Sequence, residues 1–259
     1  MKFKKLIFLL GLVASGALVS QLFVPQSTKT PADSPSVLGN PFVQDALTLE
    51  FKNQSLKVVW QIITNAGDIA LHSNFENTLS ATSARQQNNC SLLVNGGFYT
   101  TSFEPTGLFI SNRELVKDRV QAPLTNGFFT INEFDTPRIT ANLPKDKLVH
   151  ALQSGPLLIE NSLKQKTTNT QDKNARRMIV ATTGENKVVF LSIYSPQSAF
   201  NGPLLVDTPE ILKLFEEKTG IQIADALNLD GGSASAFIND EVILTELSPL
   251  GSYFCVKQP

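Results

Sequence analysis

The sequence predicts an α+β domain built mainly from short strands, with few helices. Short runs rich in Val, Ile, Leu and aromatic residues recur along the chain, with turn residues between them. The clearest of these runs are residues 56–63, 92–94, 127–131, 156–160, 178–183 and 187–194. Only two segments suggest a helix, so we expect a single domain with a mixed, mostly antiparallel β-sheet.

The stronger helix is predicted over residues 208–219. Asp207 is a candidate for its N-cap, and Pro209 suits its first turn. Apolar residues then recur at helical spacing, and Gly220 is placed to end the helix. A weaker helix is predicted over residues 77–87.

Two hairpins are predicted from their turn residues. Residues 184–186 fit a tight link between two of the strands above. Asn239 and Asp240 fit a two-residue turn that joins a strand over 234–238 to a strand over 242–244.

The N-terminus has the pattern of an export signal. Lys2, Lys4 and Lys5 precede an apolar stretch over residues 6–24. A stretch of this length can also span a bilayer uncut, since a spanning helix needs roughly 17–25 residues. Residues 1–25 are therefore expected to be either a cleaved signal peptide or a membrane anchor.

A linker separates this segment from the globular domain. Residues 26–40 are rich in Pro, Ser and Thr and cannot bury much apolar surface. The domain is expected over residues 41–259, which is long enough for a substantial core. The expected location is outside the cytoplasm: periplasmic, extracellular, or anchored in the cell envelope and facing outward.

Composition excludes some classes of function. The formal net charge is −1, from 22 Lys and Arg against 23 Asp and Glu. No long basic run occurs, so no nucleic-acid partner is expected. Cys90 and Cys255 can form a disulfide or remain two buried thiols, and both alternatives fit the sequence. With His72 and His150 also far apart, a structural zinc site is not expected, and neither a metal nor a cofactor is predicted. The alternative is a divalent cation held by Asp230 and neighbouring carbonyls, for which the sequence offers no cluster of acids.

Four short segments place polar residues at the predicted ends of strands, and in three of these segments the polar residues adjoin glycine. One of the four segments contains the best candidate for a catalytic residue. Asp230 follows an apolar run over 226–229, so its carboxylate can be held in a fixed place. The glycines next to it let a substrate approach the backbone closely. Arg176 and Arg177 offer planar groups matched to phosphate, although their position alone is more typical of a solvated loop. The candidate substrate-binding residues are Asn95, Gly96, Gly97, Gln153, Gly155, Asn228, Gly231, Gly232 and Ser233.

Common catalytic motifs are missing from the sequence. It contains no Gly-x-Ser-x-Gly, His-Glu-x-x-His, Walker loop or Gly-x-Gly-x-x-Gly.

Taken in order, these segments resemble the phosphodiester glycosidase family over about residues 90–240. The resemblance rests on an Asn-Gly-Gly-aromatic run, a Pro-x-Gly-Leu-like strand, a Gly-Pro-x-Leu segment, an Arg that opens a strand, and a closing segment similar to Asn-Leu-Asp-Gly-Gly-x-Ser. These are residues 95–99, 105–108, 155–158, Arg177 and 228–235. The sequence departs from the family pattern at Thr100, Met178 and Ala234.

The resemblance implies an exported hydrolase that cleaves the bond between a sugar's anomeric carbon and a phosphodiester. Asp230 would be the base or nucleophile, and Arg177 with backbone N–H groups of nearby glycines would hold the phosphate. Asn95, Gln153 and Ser233 would bind sugar hydroxyls. If Asp230 does not have the catalytic role, the next candidate acids are Glu104, Glu160 and Asp207. The alternative is a cell-envelope module that binds a sugar phosphate or glycan without catalysis.

Overall fold

A computed structural model describes residues 46–167 and 172–257. The signal or anchor predicted over residues 1–25 and the linker over 26–40 lie outside the described residues. Across the described ranges, no helix is long and apolar enough to cross a membrane.

The described chain contains many short strands and two α-helices. The strands are β1 (Leu47–Phe51), β2 (Gln54–Ile63), β3 (Ile69–Ser73), β4 (Leu92–Asn95), β5 (Phe109–Ser111), β6 (Glu114–Lys117), β7 (Gly127–Asn132), β8 (Pro137–Thr140), β9 (Leu148–Ser154), β10 (Leu157–Glu160), β11 (Leu163–Lys164), β12 (Arg177–Thr182), β13 (Val188–Tyr194), β14 (Asp225–Asn228), β15 (Phe237–Ile238), β16 (Ile243–Leu244) and β17 (Ser252–Val256). The helices are α1 (Ala81–Asn88) and α2 (Thr208–Thr219), with 3-10 turns at Ala66–Asp68, Leu205–Asp207 and Gly232–Ala234.

The strands form three sheets. A seven-stranded sheet has the order β1-β2-β13-β12-β14-β10-β11, and two five-stranded sheets have the orders β16-β15-β4-β17-β3 and β6-β5-β9-β7-β8. Every strand pair in the described ranges is antiparallel. The predicted α+β class with mostly antiparallel strands is confirmed, although the strands divide among three sheets.

The core lies on both faces of the seven-stranded sheet. Alternate residues along a strand point to opposite faces, so β12 and β13 contribute to two clusters. One cluster joins this sheet to the two five-stranded sheets, with Phe190 and Phe254 in ring contact at 5.1 Å. The other cluster lies under α2, where Phe215 packs edge-on against Trp60 at 5.2 Å between ring centroids.

Helix α2 has the bounds that the sequence predicts. Ile211, Leu212 and Phe215 are buried on one face, and Gly220 ends the helix with a positive φ of 76°. Asp207 occupies the N-cap position, but its side chain does not cap the helix. The carboxylate instead binds Lys52 at 2.7 Å.

Helix α1 starts four residues later than predicted. Ser80 caps it by accepting a hydrogen bond from the Ser83 N–H. The preceding residues form a turn in which the Asn74 side chain bonds both the N–H and the carbonyl of Leu79. These local bonds compete with helix formation before Ser80.

One of the two predicted hairpins changes in detail. The turn over 184–186 joins β12 and β13 as expected. The second turn is longer than two residues, because the Asn239 side chain accepts from the N–H groups of Glu241 and Val242. The strand predicted over 234–238 shrinks to β15, since residue 234 lies in the 3-10 turn that ends before it.

Cys90 and Cys255 form a disulfide, which settles the alternative left open by the sequence. The bond joins the end of the α1 region to β17 across 165 positions of sequence. A crosslink that closes so long a loop restricts the unfolded chain and stabilises the domain by about 2–5 kcal/mol.

Candidate functional site

Antiparallel pairing brings three predicted segments to one place. In β14, Leu227 lies opposite Leu157 of β10, and Asn228 lies opposite Ile179 of β12. The end of β14 therefore adjoins the start of both neighbouring strands. Because Asp230 follows β14, it lies beside the residues that precede β10 and those that open β12.

A cavity of about 280 Å³ lies at this junction. Its lining combines the end of β14 with the entries to β10 and β12. The lining residues are Phe98, Leu124, Gly155, Pro156, Asp172, Lys173, Ala175, Arg177, Leu205, Asn228, Asp230, Gly231 and Gly232. Six residues predicted from sequence lie together here, namely Asp230, Arg177, Asn228, Gly155, Gly231 and Gly232.

The backbone of Asp230 is held on both sides. Its N–H donates to the Gly96 carbonyl at 3.2 Å, and its carbonyl accepts from Asn95 Nδ2 at 2.8 Å. Burial raises the pKa of the Asp230 carboxyl to about 7, and a hydrogen bond from the Gly231 backbone opposes part of this rise. A carboxylate of this kind can accept a proton near neutral pH.

Asn228 presents an acceptor without a partner. Its Nδ2 donates to the carbonyls of Gly155 at 2.9 Å and Leu229 at 2.8 Å, which fixes the orientation of the amide. Its Oδ1 is buried and has no hydrogen-bond partner in the described part of the chain. Such an atom is costly to bury alone and favours a hydroxyl donor from a ligand.

Arg177 is buried in the wall of the cavity. Its Nε donates to the Pro203 carbonyl at 3.0 Å, and its Nη2 binds Asp172 at 2.9 Å and the Lys173 carbonyl. Asp172 is also fully engaged, since its other oxygen accepts from the Val206 N–H at 3.0 Å. This pair therefore shapes the wall, and the exposed Lys173 supplies a further positive charge beside it.

Gly231 and Gly232 follow Asp230, and neither position readily accepts a larger residue. Gly231 lies too close to a neighbouring backbone carbonyl for a side chain, and Gly232 has a backbone conformation that favours glycine. A Cβ at Gly231 would lie 2.5 Å from the Arg176 carbonyl. Gly232 has a φ of +62°, which favours glycine, and its N–H donates to the same carbonyl at 2.9 Å. On the other side of the cavity, a Cβ at Gly155 would collide with the Leu124 carbonyl.

Asn95 and Gln153 lie outside the cavity lining. The Asn95 Oδ1 accepts from the Ala236 N–H at 3.0 Å, and its Nδ2 serves the Gly96 and Asp230 carbonyls. The Gln153 amide likewise makes four bonds to the backbone, with 3.0 Å to each of the Leu108 and Val120 N–H groups and 2.7–2.8 Å to two carbonyls. Both side chains are fully committed to holding loops, not to facing a ligand.

The remaining predicted residues also lie outside the lining. Gly96 packs against Ser252, with which a Cβ would collide, and Gly97 packs against Leu152. Ser233 is exposed, and its Oγ bonds Ser248 at 3.1 Å. The next candidate acids, Glu104, Glu160 and Asp207, are likewise not among the lining residues.

Arg176 is a residue whose importance the sequence did not reveal. It is fully buried, and its guanidinium donates to Ser235 Oγ at 2.8 Å, to the Ser235 carbonyl and to the Thr245 carbonyl at 2.8 Å. Ser235 Oγ in turn donates to the Gly232 carbonyl at 2.6 Å. Burial lowers the pKa of Arg176 to about 10, which leaves it charged at neutral pH. Arg176 thus braces the Asp230 loop from the interior, where a solvated loop residue had been expected.

Sequence reasoning also missed most of the cavity wall. Phe98, Leu124 and Leu205 are apolar residues outside the strands and α-helices, and Lys173 follows Asp172 in a short charged segment. Phe98 belongs to the Asn-Gly-Gly-aromatic run, which is the one sequence feature that points to any of these four residues. In the described ranges, no three His, Cys, Asp or Glu side chains lie where they could together hold a metal ion.

Solved structures share this fold. The catalytic domain of zebrafish N-acetylglucosamine-1-phosphodiester α-N-acetylglucosaminidase, auto-inhibited by its pro-peptide, matches with a TM-score of 0.67 at 14% identity, over 83% of this chain and 82% of that one. A hypothetical protein from Synechocystis matches with a TM-score of 0.59 at 13% identity, over 82% of this chain and 61% of that one. At these identities the likeness establishes the fold alone.

Sequence comparison establishes the family. Among curated protein sequences, none is significantly similar to this chain. The model of the phosphodiester glycosidase family matches residues 88–255, which include β4, β14 and the whole cavity lining. The chain therefore belongs to the phosphodiester glycosidase family.

Proposed function

We propose that this protein is an exported hydrolase that cleaves the bond between a sugar's anomeric carbon and a phosphodiester, releasing the free sugar. The observation that carries the proposal is Asp230, a carboxylate with a pKa of about 7 in a cavity that also holds a lysine and accessible glycines. That combination suits proton transfer next to a bound phosphate.

In the proposed reaction, a water molecule attacks the anomeric carbon, and Asp230 accepts a proton from that water. The bond from the anomeric carbon to the phosphate oxygen breaks, and its electron pair stays with the phosphate. The products are a free sugar and a phosphomonoester. A phosphomonoester has a second pKa near 6, far below that of an alcohol, so it leaves with little help from a general acid.

The second carboxylate of the cavity supports this assignment. Most glycosidases use two carboxyl groups, one of which protonates the leaving group. Asp172 is the other acid in the lining, but its two oxygens are engaged by Arg177 and by the Val206 N–H. The site therefore offers one working carboxylate, as expected for a phosphate leaving group.

The phosphate would lie between the residues that precede β12 and residues 230–233, here called the glycine loop. Lys173 supplies positive charge, and Gly231 and Gly232 let the phosphate approach the backbone. Arg177 contributes by fixing Lys173, whose carbonyl it binds. For the sugar, the unpartnered Oδ1 of Asn228 would accept a hydroxyl hydrogen bond. Asn95 and Gln153 then act by holding the loops around the site.

The disulfide supports export. Disulfides form and persist in oxidising compartments and are rare in the cytosol. Cys90 and Cys255 form such a bond, which agrees with the export signal predicted for residues 1–25. We infer that the domain functions outside the cytoplasm.

The test is sugar release from a panel of sugar 1-phosphodiesters, which should include esters of glucose and N-acetylglucosamine and a nucleotide sugar. The matched variants are Asp230→Asn and Asp240→Asn, since Asp240 is an exposed carboxylate remote from the lining. We expect release by the wild type and by Asp240→Asn, and its loss in Asp230→Asn. A folded wild type that binds a sugar 1-phosphate but turns over none of the diesters would contradict the proposal and favour a binding module.

A further inference from the structure

We infer that the group beyond the phosphate is an aliphatic alcohol, so that the substrate is a sugar 1-phosphate esterified to an apolar chain. The inference rests on the proposed function and assigns its substrate class. It is carried by the apolar side of the cavity and by the exposed apolar residues that continue from it.

The cavity has a polar end and an apolar wall. Asn228, Asp230 and the two glycines form the polar end, where the anomeric carbon must lie to reach the carboxylate. Besides the charged Asp172, Lys173 and Arg177, the lining contains five residues with hydrocarbon side chains, namely Phe98, Leu124, Pro156, Ala175 and Leu205. A sugar alone does not need a wall of this extent, because its hydroxyls favour polar partners.

Apolar residues continue from the wall to the surface. Leu124 lines the cavity and is nevertheless 49% exposed. Leu205 is buried in the lining, while Val206, the next residue, is 36% exposed. Exposed apolar side chains next to a cavity mark a surface that gains free energy when a ligand covers it.

The charges of the lining fit a single phosphate. Asp172 and Arg177 neutralise each other through a bond of 2.9 Å. Lys173 then remains as the one basic residue of the described lining outside that pair. A phosphodiester brings one negative charge next to Lys173, which also lies in the lining with the Asp230 carboxylate. A nucleotide sugar brings a second phosphate charge, for which the described lining holds no further basic residue, and a polar nucleoside. The lining thus favours a monophosphate diester with an uncharged, apolar alcohol.

In the resulting reaction, water is added across the bond from the anomeric carbon to oxygen. The hydroxyl group goes to the sugar, and the proton goes through Asp230 to the phosphate product. The products are the free sugar and an alkyl phosphate, and no other reactant is needed.

The test compares methyl, decyl and nucleotide esters that carry the same sugar. Methyl and decyl diesters of glucose 1-phosphate and N-acetylglucosamine 1-phosphate are assayed below the concentration at which the decyl ester forms micelles, beside the corresponding uridine diphosphate sugars. Because burial of two methylene groups alone favours binding by about tenfold, we expect kcat/KM for the decyl ester to exceed that for the methyl ester by at least about tenfold.

Variants then locate the effect. Leu124→Ser should lower the decyl-to-methyl ratio of kcat/KM by about fivefold or more. Leu163→Ser is the matched control, since Leu163 is 68% exposed on β11 and is not among the lining residues. It should leave the ratio unchanged.

The outcomes separate this inference from the proposed function. Equal kcat/KM for the methyl and decyl esters, preference for a nucleotide sugar, or a ratio that Leu124→Ser does not change would overturn the apolar substrate alone. Absence of turnover with every ester by the folded protein would overturn the proposed function as well.

Discussion

The ends of β4 and β14 carry the same residue, yet the two asparagines bond differently. Asn95 ends β4 and Asn228 ends β14, and both are buried. Each donates from Nδ2 to two backbone carbonyls. The Oδ1 of Asn95 also accepts from the Ala236 N–H, whereas the Oδ1 of Asn228 has no partner in the described chain. Under the proposed function, this difference separates Asn95, which braces the fold, from Asn228, whose unpartnered Oδ1 would accept from the substrate.

Position relative to the lining separates the other residues of the site. Gln153 and Arg176 direct most of their polar atoms to loops around the cavity. Asp230 and Lys173 lie in the lining itself. Bracing residues should then affect stability and the placement of the loop, while lining residues should affect turnover and substrate affinity directly.

Asp230→Asn should have the largest effect. We expect kcat to fall by at least about 10³-fold, because the amide cannot accept the proton of the attacking water. The far-ultraviolet circular dichroism spectrum should remain that of the wild type. A variant with more than about a tenth of wild-type kcat would show that another group acts as the base.

Arg176→Leu should have the next largest effect, because it tests the brace. Loss of the bonds to Ser235 and Thr245 should loosen the glycine loop and lower kcat by roughly 10–100-fold. The unfolding free energy should fall by about 2–4 kcal/mol. Arg176→Lys should restore part of kcat. Arg138→Leu is the control, since Arg138 is half-exposed and pairs with Asp146. Wild-type kcat in Arg176→Leu would contradict the bracing role.

The two asparagines should differ in what their removal changes. Asn228→Ala should raise KM by roughly tenfold, because a hydrogen bond to a sugar hydroxyl is lost. It should also lower the unfolding free energy, because the bonds to the Gly155 and Leu229 carbonyls are lost. Asn95→Ala should act mainly on stability and lower the unfolding free energy by about 2–3 kcal/mol, because three bonds to the backbone are lost. Urea unfolding and steady-state kinetics on both variants measure the difference. Equal changes in KM for the two variants would show that Asn228 and Asn95 do not differ in their contact with substrate.

The pH dependence of the wild type follows from the raised pKa of Asp230. The base must be deprotonated, so kcat/KM should rise with pH up to about 7 and fall about tenfold per unit below it. The pKa is also higher in the folded state than the ordinary value of 3.8, so the folded protein binds the proton more tightly. Stability due to this group should therefore be lost as pH rises from about 4 to about 7. In Asp230→Asn this loss should be absent, leaving the variant more stable by roughly 1–3 kcal/mol at pH 8.

Ser233→Ala should have the smallest effect. Ser233 is exposed, lies outside the lining and bonds Ser248 through its hydroxyl. We expect kcat/KM to change by less than about twofold and stability by less than about 0.5 kcal/mol. A fall in kcat/KM of tenfold or more would return Ser233 to the substrate-binding role that the sequence suggests.

The sequence predicts local features of this fold well and long-range ones poorly. Helix α2 and the principal strands follow from apolar spacing and turn residues, and the placement of Asp230 follows from the apolar run before it. The division into three sheets does not follow, because it depends on pairings between distant strands. The bracing bonds of Asn95 and Gln153 are of the same kind. Apart from the Asn95 bond to the adjacent Gly96 carbonyl, they join each side chain to backbone groups 28–141 positions away. A polar residue beside glycine therefore has the same local sequence whether it braces a loop or binds a ligand.

The cavity wall is hidden in the sequence for another reason. Leu124 is a single apolar residue in a loop, and Leu205 stands in a short apolar run, residues 204–206, that has no helical or strand periodicity. Apolar residues of either kind are ordinary. Only the fold shows that Leu124 and Leu205 adjoin Asp230.

The central claim is that Asp230 promotes cleavage between the anomeric carbon and oxygen. The most direct test is hydrolysis of a sugar 1-phosphodiester in water enriched in ¹⁸O, followed by mass spectrometry of both products. Attack of water at the anomeric carbon places the label in the free sugar and leaves the phosphomonoester unlabelled, and this is the result we expect. Label in the phosphate would mean that the bond from phosphorus to oxygen is cleaved, and would contradict the account.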